Sequence, residues 1–192
     1  MDPLHLPQSK KNAQAEGAVI VFTDEASFRQ SPTLCQTWAP RRHRPHIPTR
    51  GERNTQKVLG AVALQSAKFV YRHQEEYFNH LTYRSFVQEV ILPGYYRRGH
   101  RVYLIQDNAS YHKQPEVWEF FKDERKRLEV FSLPKYSPEF NAQEPIWKYT
   151  RGHATHNRFF EKPADLQASL MTTFADMQQH PEKLLGILRP FS

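Results

Sequence analysis

Asp24, Asp107 and Glu144 have the side-chain types and the order that metal-assisted phosphodiester chemistry needs. Making or breaking a phosphodiester requires an activated water or hydroxyl and a stabilised leaving oxygen. Two divalent ions about 3.5–4 Å apart supply both. Magnesium takes a few carboxylate oxygens and completes its shell with waters and substrate phosphate. A short aspartate at a strand end holds such an ion in a fixed place. A longer glutamate on a helix reaches in from the side.

The elements that must position these residues can be read nearby. Asp24 follows the apolar run Ala18-Val19-Ile20-Val21-Phe22, and Asp107 follows Val102-Tyr103-Leu104-Ile105. Short β-branched and aromatic runs of this kind predict buried strands over 18–23 and 101–106. Glu144 lies past a third run, Leu128 to Leu133, and a proline-marked turn. Each acid has a plainer alternative. Asp24 and Asp107 can be ordinary turn or cap residues, with Asp107-Asn108 forming an Asx turn. Glu144 can close a capping box begun by Asn141.

The other elements follow from pattern. Thr33 to Trp38 predicts a further strand ended by Pro40. Lys57–Leu64 and Lys68–Arg72 predict a hairpin around Gln65-Ser66-Ala67. Tyr83, Val87, Val90 and Ile91 recur at helical spacing, which predicts a helix over about 80–92 that Pro93-Gly94 stops. Helices are also expected from Pro115, over about 144–151, and over about 164–179 between Pro163 and Pro181. Residues 1–17 show no apolar period and read as a linker or residual N-terminal segment, leaving 18–192 as one domain. Hairpin strands first, then strands alternating with helices, predict an α/β fold with a mixed five-stranded sheet flanked by helices.

Charge narrows the substrate. The chain carries a formal +7, and +5 of it falls between Trp38 and Lys57. There Arg41, Arg42, Arg44, Arg50, Arg53 and Lys57 face one acid, Glu52. Concentrated positive charge beside a carboxylate site suits a polyanion, because each neutralised phosphate releases counterions. A solvated basic loop without a partner is the alternative. Cys35 is the single cysteine, which excludes a disulfide within the chain and a cysteine-based zinc site. No run approaches 18 apolar residues, so no membrane span is expected. Nothing marks secretion, and a reducing cytoplasm fits.

Three stretches occur in order: Thr23-Asp24-Glu25-Ala26-Ser27-Phe28, Gln106-Asp107-Asn108-Ala109-Ser110-Tyr111-His112, and Leu133-Pro134-Lys135-Tyr136-Ser137-Pro138 running on to Glu144. Together they resemble the catalytic domain of mariner-like transposases, specifically the bacterial insertion sequence 630 family. Thirty-six residues lie between Asp107 and Glu144, within the spacing of that family. The resemblance implies a ribonuclease H-like (RNase H/integrase-type) fold and a DDE triad of Asp24, Asp107 and Glu144 holding two Mg²⁺ or Mn²⁺ ions. It implies a DNA endonuclease and strand transferase acting on transposon ends and a target, often at TA, in a bacterial cytoplasm near the nucleoid. It leaves a homodimer open. Asn108 and His112 would orient Asp107 or touch phosphate, with Tyr136 and Ser137 as scaffold. Trp147 reads as core, and His153 and His156 as structural.

The chain departs from the family pattern at Gln143, an apolar packing position in relatives, and at Pro145. The residue before proline is pushed from helical geometry, which predicts Glu144 as a cap outside the first turn. Glu139 is then the fallback carboxylate. The helix-turn-helix reader of full-length relatives is expected on a separate or missing N-terminal half. Two alternatives remain open to this sequence. One is a decayed or co-opted domain that binds DNA or a partner without catalysis. The other is a ribonuclease H-type nuclease acting on RNA–DNA hybrids.

Overall fold

A computed structural model describes residues 6–43, 45–51, 53–75 and 77–191. Five strands form one sheet: β1 (Val19–Arg29), β2 (Thr55–Ala63), β3 (Phe69–Gln74), β4 (Val102–Gln106) and β5 (Leu128–Ser132), in the order β3-β2-β1-β4-β5. β1, β2 and β3 pair antiparallel, whereas β4 lies parallel to β1 and β5 parallel to β4. The sheet is mixed and helices cover both faces, as the element order predicted.

Alternation along β1 divides the core. Ile20, Phe22, Ala26 and Phe28 point to one face, with Tyr103 and Ile105 of β4 beside them. That face is covered by α5 (Gln143–Ala154), α6 (Pro163–Gln179) and α7 (Glu182–Leu188). Val21, Leu59, Ala61, Val102 and Leu104 point the other way. They meet α2 (His80–Phe86), α3 (Leu92–Tyr95) and α4 (Pro115–Asp123). Aromatic edges lock α5 and α6 to the sheet. Trp147 meets Phe28 at 5.9 Å and Phe69 at 6.2 Å, and Phe69 meets Phe174 at 5.6 Å between ring centroids. Such pairs contribute about 0.5–1.5 kcal/mol each beyond area burial.

Several boundaries differ from the sequence reading. The segment read as a linker contains a helix, α1 (Leu6–Glu16), which puts Ala13 in the core and ends at Gly17 with φ +65°. Among the helix residues whose burial is described, Ala13 alone is buried, and one small residue makes no apolar stripe. β1 runs six residues past the expected end, because β2 pairs with it as far as Arg29↔Thr55. Thr33 to Trp38 forms no strand; its one ladder contact is an isolated bridge, Thr33↔His156, and Leu34 and Trp38 stand exposed.

Pro93 does not stop its helix. A π-helical turn, Val87–Ile91, precedes it, with the Leu92 N–H donating to the Val87 carbonyl, and α3 carries on to Tyr95. The wider turn gives room to a ring that would otherwise crowd the carbonyl four residues back. α7 was not anticipated; its buried Leu184 and Leu188 are one helical turn apart. The hairpin is as expected, and Ala67 supplies the left-handed turn residue with φ +54°.

Candidate active site

Asp24 lies within β1, on the face of Phe22 and Ala26 and opposite Gly60 of β2. β4 pairs with β1 only as far as Phe22↔Ile105. Two residues further along each strand stand Asp24 and Asp107. They therefore share one level at the carboxyl edge of β4, where the sheet opens.

Glu144 comes from α5, and the concern over Pro145 is resolved by helix geometry. The helix cap is Ala142 (φ −64°, ψ −13°), so Glu144 is the second helical residue and Pro145 the third. The first turn has N–H groups without intrahelical partners, so a proline there removes no helical bond. Asn141 secures the start by accepting from Gln143 N–H at 3.0 Å. The Glu144 carboxylate does not return to the cap and makes no hydrogen bond among the described residues. Glu139 sits exposed on the 3₁₀ turn Pro138–Phe140, outside the cleft lining.

Asp24, Asp107 and Glu144 line one cleft of about 440 Å³. Asn108, Lys135, Tyr136, Ser137 and Asn141 are among the other residues of its wall. Asn108 ties the ends of β4 and β5 together by donating to the Leu133 carbonyl. Tyr136 is 99% exposed with φ +56°, so it forms the rim and is not packed scaffold.

The two aspartates sit in opposite electrostatic surroundings. Burial pushes the Asp24 carboxyl up to about 8, with the charges of Glu25, Glu144 and Asp107 adding to it. Asp107 behaves oppositely. Burial raises it, but hydrogen bonds from His112 and from Ala109 N–H, with the charges of His112 and Lys113, hold it below the usual carboxylate range. The Ala109 bond, 3.0 Å to Asp107 Oδ1, is the Asx turn foreseen as an alternative. The turn coexists with a place in the cleft.

His112 is 1% exposed, which shuts its ring away from phosphate. Its Nδ1 lies 3.0 Å from Asp107 Oδ1 and its Nε2 3.2 Å from Glu25 Oε1. Burial disfavours its charge, but the bonds to Asp107 and Glu25 prevail and lift it to about 9. Glu25, Asp107 and His112 offer ligand atoms within 4.8 Å of one another. An imidazolium between two carboxylates already supplies the cation there and has no free lone pair for a metal. The oxygen-only set of Asp24, Asp107 and Glu144, whose like charges crowd at Asp24, fits hard divalent ions.

Trp147 is core, as expected, but has a second role: its Nε1 donates to Asp24 Oδ2 at 3.0 Å. Glu25 was missed entirely. The available signal was its place beside Asp24, on the opposite face by strand alternation. His153 bonds the Tyr149 carbonyl through Nδ1 at 2.8 Å, and His156 bridges Thr33.

The basic segment leaves the sheet from the carboxyl end of β1, the edge at which Asp107 follows β4. Arg41, Arg42, Arg50 and Arg53 are exposed. Arg50 pairs with Glu161 at 3.5 Å, and Lys57 stacks over Tyr77 at 3.9 Å. Arg44 lies outside the described residues.

Fold and site together define a ribonuclease H-like domain with a carboxylate-lined cleft at the edge of its sheet. Residues 19–167 match the DDE superfamily endonuclease family, and the chain belongs to it. It is 25% identical over 138 residues to the insertion element IS630 uncharacterized 39 kDa protein of Shigella sonnei, covering 72% of this chain and 39% of that protein. It is similar in fold to the Mos1 pre-cleavage transpososome (TM-score 0.63, 19% identity, 97% of this chain and 58% of that chain). It is likewise similar to the mariner Mos1 paired-end complex with Mg (TM-score 0.60, 20% identity, 96% and 57%). The chain thus spans under two thirds of the length of each of these relatives.

Proposed function

We propose that residues 18–192 are the catalytic domain of an insertion-sequence transposase that cuts DNA at the element's ends and joins the freed 3′ hydroxyl to a target. The observation that carries this reading is the single cleft lined by Asp24, Asp107 and Glu144. Those three residues would hold Mg²⁺ or Mn²⁺, with two ions expected. Bound there, the ions supply Lewis acidity to the attacking and leaving oxygens.

The chain's own residues divide the remaining tasks. β1 fixes Asp24, and Trp147 orients its carboxylate. His112 and Ala109 N–H hold Asp107. The first turn of α5 presents Glu144. Arg41, Arg42, Arg44, Arg50, Arg53 and Lys57, with Asn108 at the cleft, would bind the phosphate backbone, a contact that positions DNA without reading its sequence. Reading of the ends belongs to a helix-turn-helix half outside this domain, and a homodimer would bring two ends together at a target such as TA. The setting is bacterial DNA in the nucleoid. No helix among the described residues is long and apolar enough to cross a membrane.

The test is nicking of DNA carrying the element's own ends. Activity should require Mn²⁺ or Mg²⁺ and disappear in Asp107→Ala. An unchanged rate in EDTA would sink the reading. Glu144 in a helical turn and lining the cleft removes the objection that Pro145 raised.

A further inference from the structure

Asp24 and Glu25 are neighbours in β1 and point to opposite faces of the sheet. Asp24 enters the cleft directly. Glu25 is on the far side, its side chain 8% exposed, and reaches His112 Nε2 at 3.2 Å. The other ring nitrogen, Nδ1, reaches Asp107 Oδ1 at 3.0 Å. Both imidazole nitrogens are therefore committed to carboxylates, one on each side. Of the three groups, Asp107 is the open end, 46% exposed towards the cleft.

The surroundings leave the ring little freedom. Tyr83 lies against its face at 3.9 Å between centroids, and Tyr111 meets its edge at 4.6 Å. The Tyr83 hydroxyl donates to Gln106 Oε1. Asp107 itself follows the last residue of β4, so the ladder does not fix it. What fixes it is Ala109 N–H and His112.

We propose that Glu25 is a positioning residue of the metal centre: acting through His112 from the opposite face of the sheet, it fixes the carboxylate of Asp107. The proposal rests on Asp107 being a metal ligand. His112 is the partner one step behind Asp107; losing such a partner costs about 10–100-fold in metal affinity, and Glu25, one step further back, sets how firmly it is held. Without Glu25, the ring keeps its stacking on Tyr83 but loses one of its two polar anchors.

The experiment is calorimetric titration of the full chain with Mn²⁺, with thermal melting in EDTA to verify folding. Glu25→Ala and the volume-keeping Glu25→Leu should each weaken Mn²⁺ binding several-fold, up to about tenfold, the lower bound for losing a ligand's direct partner. Glu25→Gln, whose amide oxygen still accepts from Nε2–H, should recover most of the affinity. Glu25→Ala combined with His112→Ala should bind no more weakly than His112→Ala alone, because the two act in series. Folded Glu25→Ala or Glu25→Leu binding within twofold of the unmodified chain would overturn the proposal. So would loss of binding in His112→Ala with full binding in Asp24→Ala, which would put the ion among Glu25, Asp107 and His112. Absence of Mn²⁺ binding by the unmodified chain would instead overturn the metal reading of the cleft, and the proposal with it.

Discussion

The indole N–H of Trp147 donates to Asp24 Oδ2 at 3.0 Å, across 123 residues of sequence. This bond joins the first carboxylate to the helix that carries the third, since Trp147 is one turn after Glu144. The indole can lie over β2 because Gly60, the residue paired with Asp24, has no side chain. A Cβ at Gly60 would overlap Trp147 Cη2 and stand 2.7 Å from Cζ2.

Gly60→Ala should therefore disturb the centre without touching a carboxylate. Neither contact atom is the end of a flexible chain, so the ring or α5 must shift. Overpacking of this kind costs about 1–3 kcal/mol. Urea unfolding should show that loss, and Mn²⁺ affinity should fall with it. Unchanged metal affinity in a destabilised Gly60→Ala protein would mean that Trp147 does not set the cleft.

Gln143 gives a prediction of opposite sign. It is fully buried, and neither its amide oxygen nor its amide nitrogen has a partner among the described residues. Burying an unpaired polar group costs about 1–3 kcal/mol. Gln143→Met keeps the length and removes the polar atoms. It should raise the urea midpoint without changing the slope, and leave Mn²⁺ affinity intact. A lowered midpoint would show that the amide is satisfied in solution.

The site also sets the pH dependence of the metal-free domain. Asp24, raised from 3.8 to about 8, adds stability that is whole below pH 4 and is lost as pH rises towards 8. His112, raised from 6.5 to about 9, adds stability that is whole below 6.5 and is lost as pH rises through 9. Asp107, held low, contributes above pH 4 and loses its contribution only in stronger acid. Scanning calorimetry in EDTA should give a melting temperature that falls between about pH 5 and 9. Mn²⁺ should reverse the trend, because a metal-binding Asp24 must release its proton. A metal-free profile that is flat over this range would contradict both shifts.

How far these relationships could be read from sequence depends on the kind of signal each leaves. Strands β4 and β5 and the hairpin were legible, because a buried strand writes a short apolar run. Asp24 and Asp107 were legible as residues following such runs. The extent of β1 was not, since Asp24 and Glu25 interrupt the run while Ala26 and Phe28 continue its alternation. Glu144 was legible by order and spacing, but its geometry was misread. The rule for residues before proline is relaxed in a first helical turn, and sequence does not say where the turn begins. The Glu25–His112 and Trp147–Asp24 contacts span 87 and 123 residues, and nothing local encodes them.

Glu144→Gln separates the two consequences of the third carboxylate. In stability the effects oppose and are small. A carboxylate in the first turn of α5 contributes about 0.3–1 kcal/mol with the helix dipole. Against this, Glu144 repels Asp24, and Asp24 escapes much of that repulsion by keeping its proton. The metal-free variant should thus melt within about 1 kcal/mol of the unmodified chain. In function nothing offsets the loss. Glutamine keeps the shape but removes the charge that balances the ions, so metal-dependent nicking should fall by more than about 100-fold, the upper range for supporting residues around a metal. The same substitution at Glu139, exposed and outside the cleft lining, should leave nicking unchanged. Paired nicking assays and EDTA melts of the two variants decide between them. Loss in Glu139→Gln with retention in Glu144→Gln would transfer the third ligand to Glu139 and require the segment before α5 to refold around the ions.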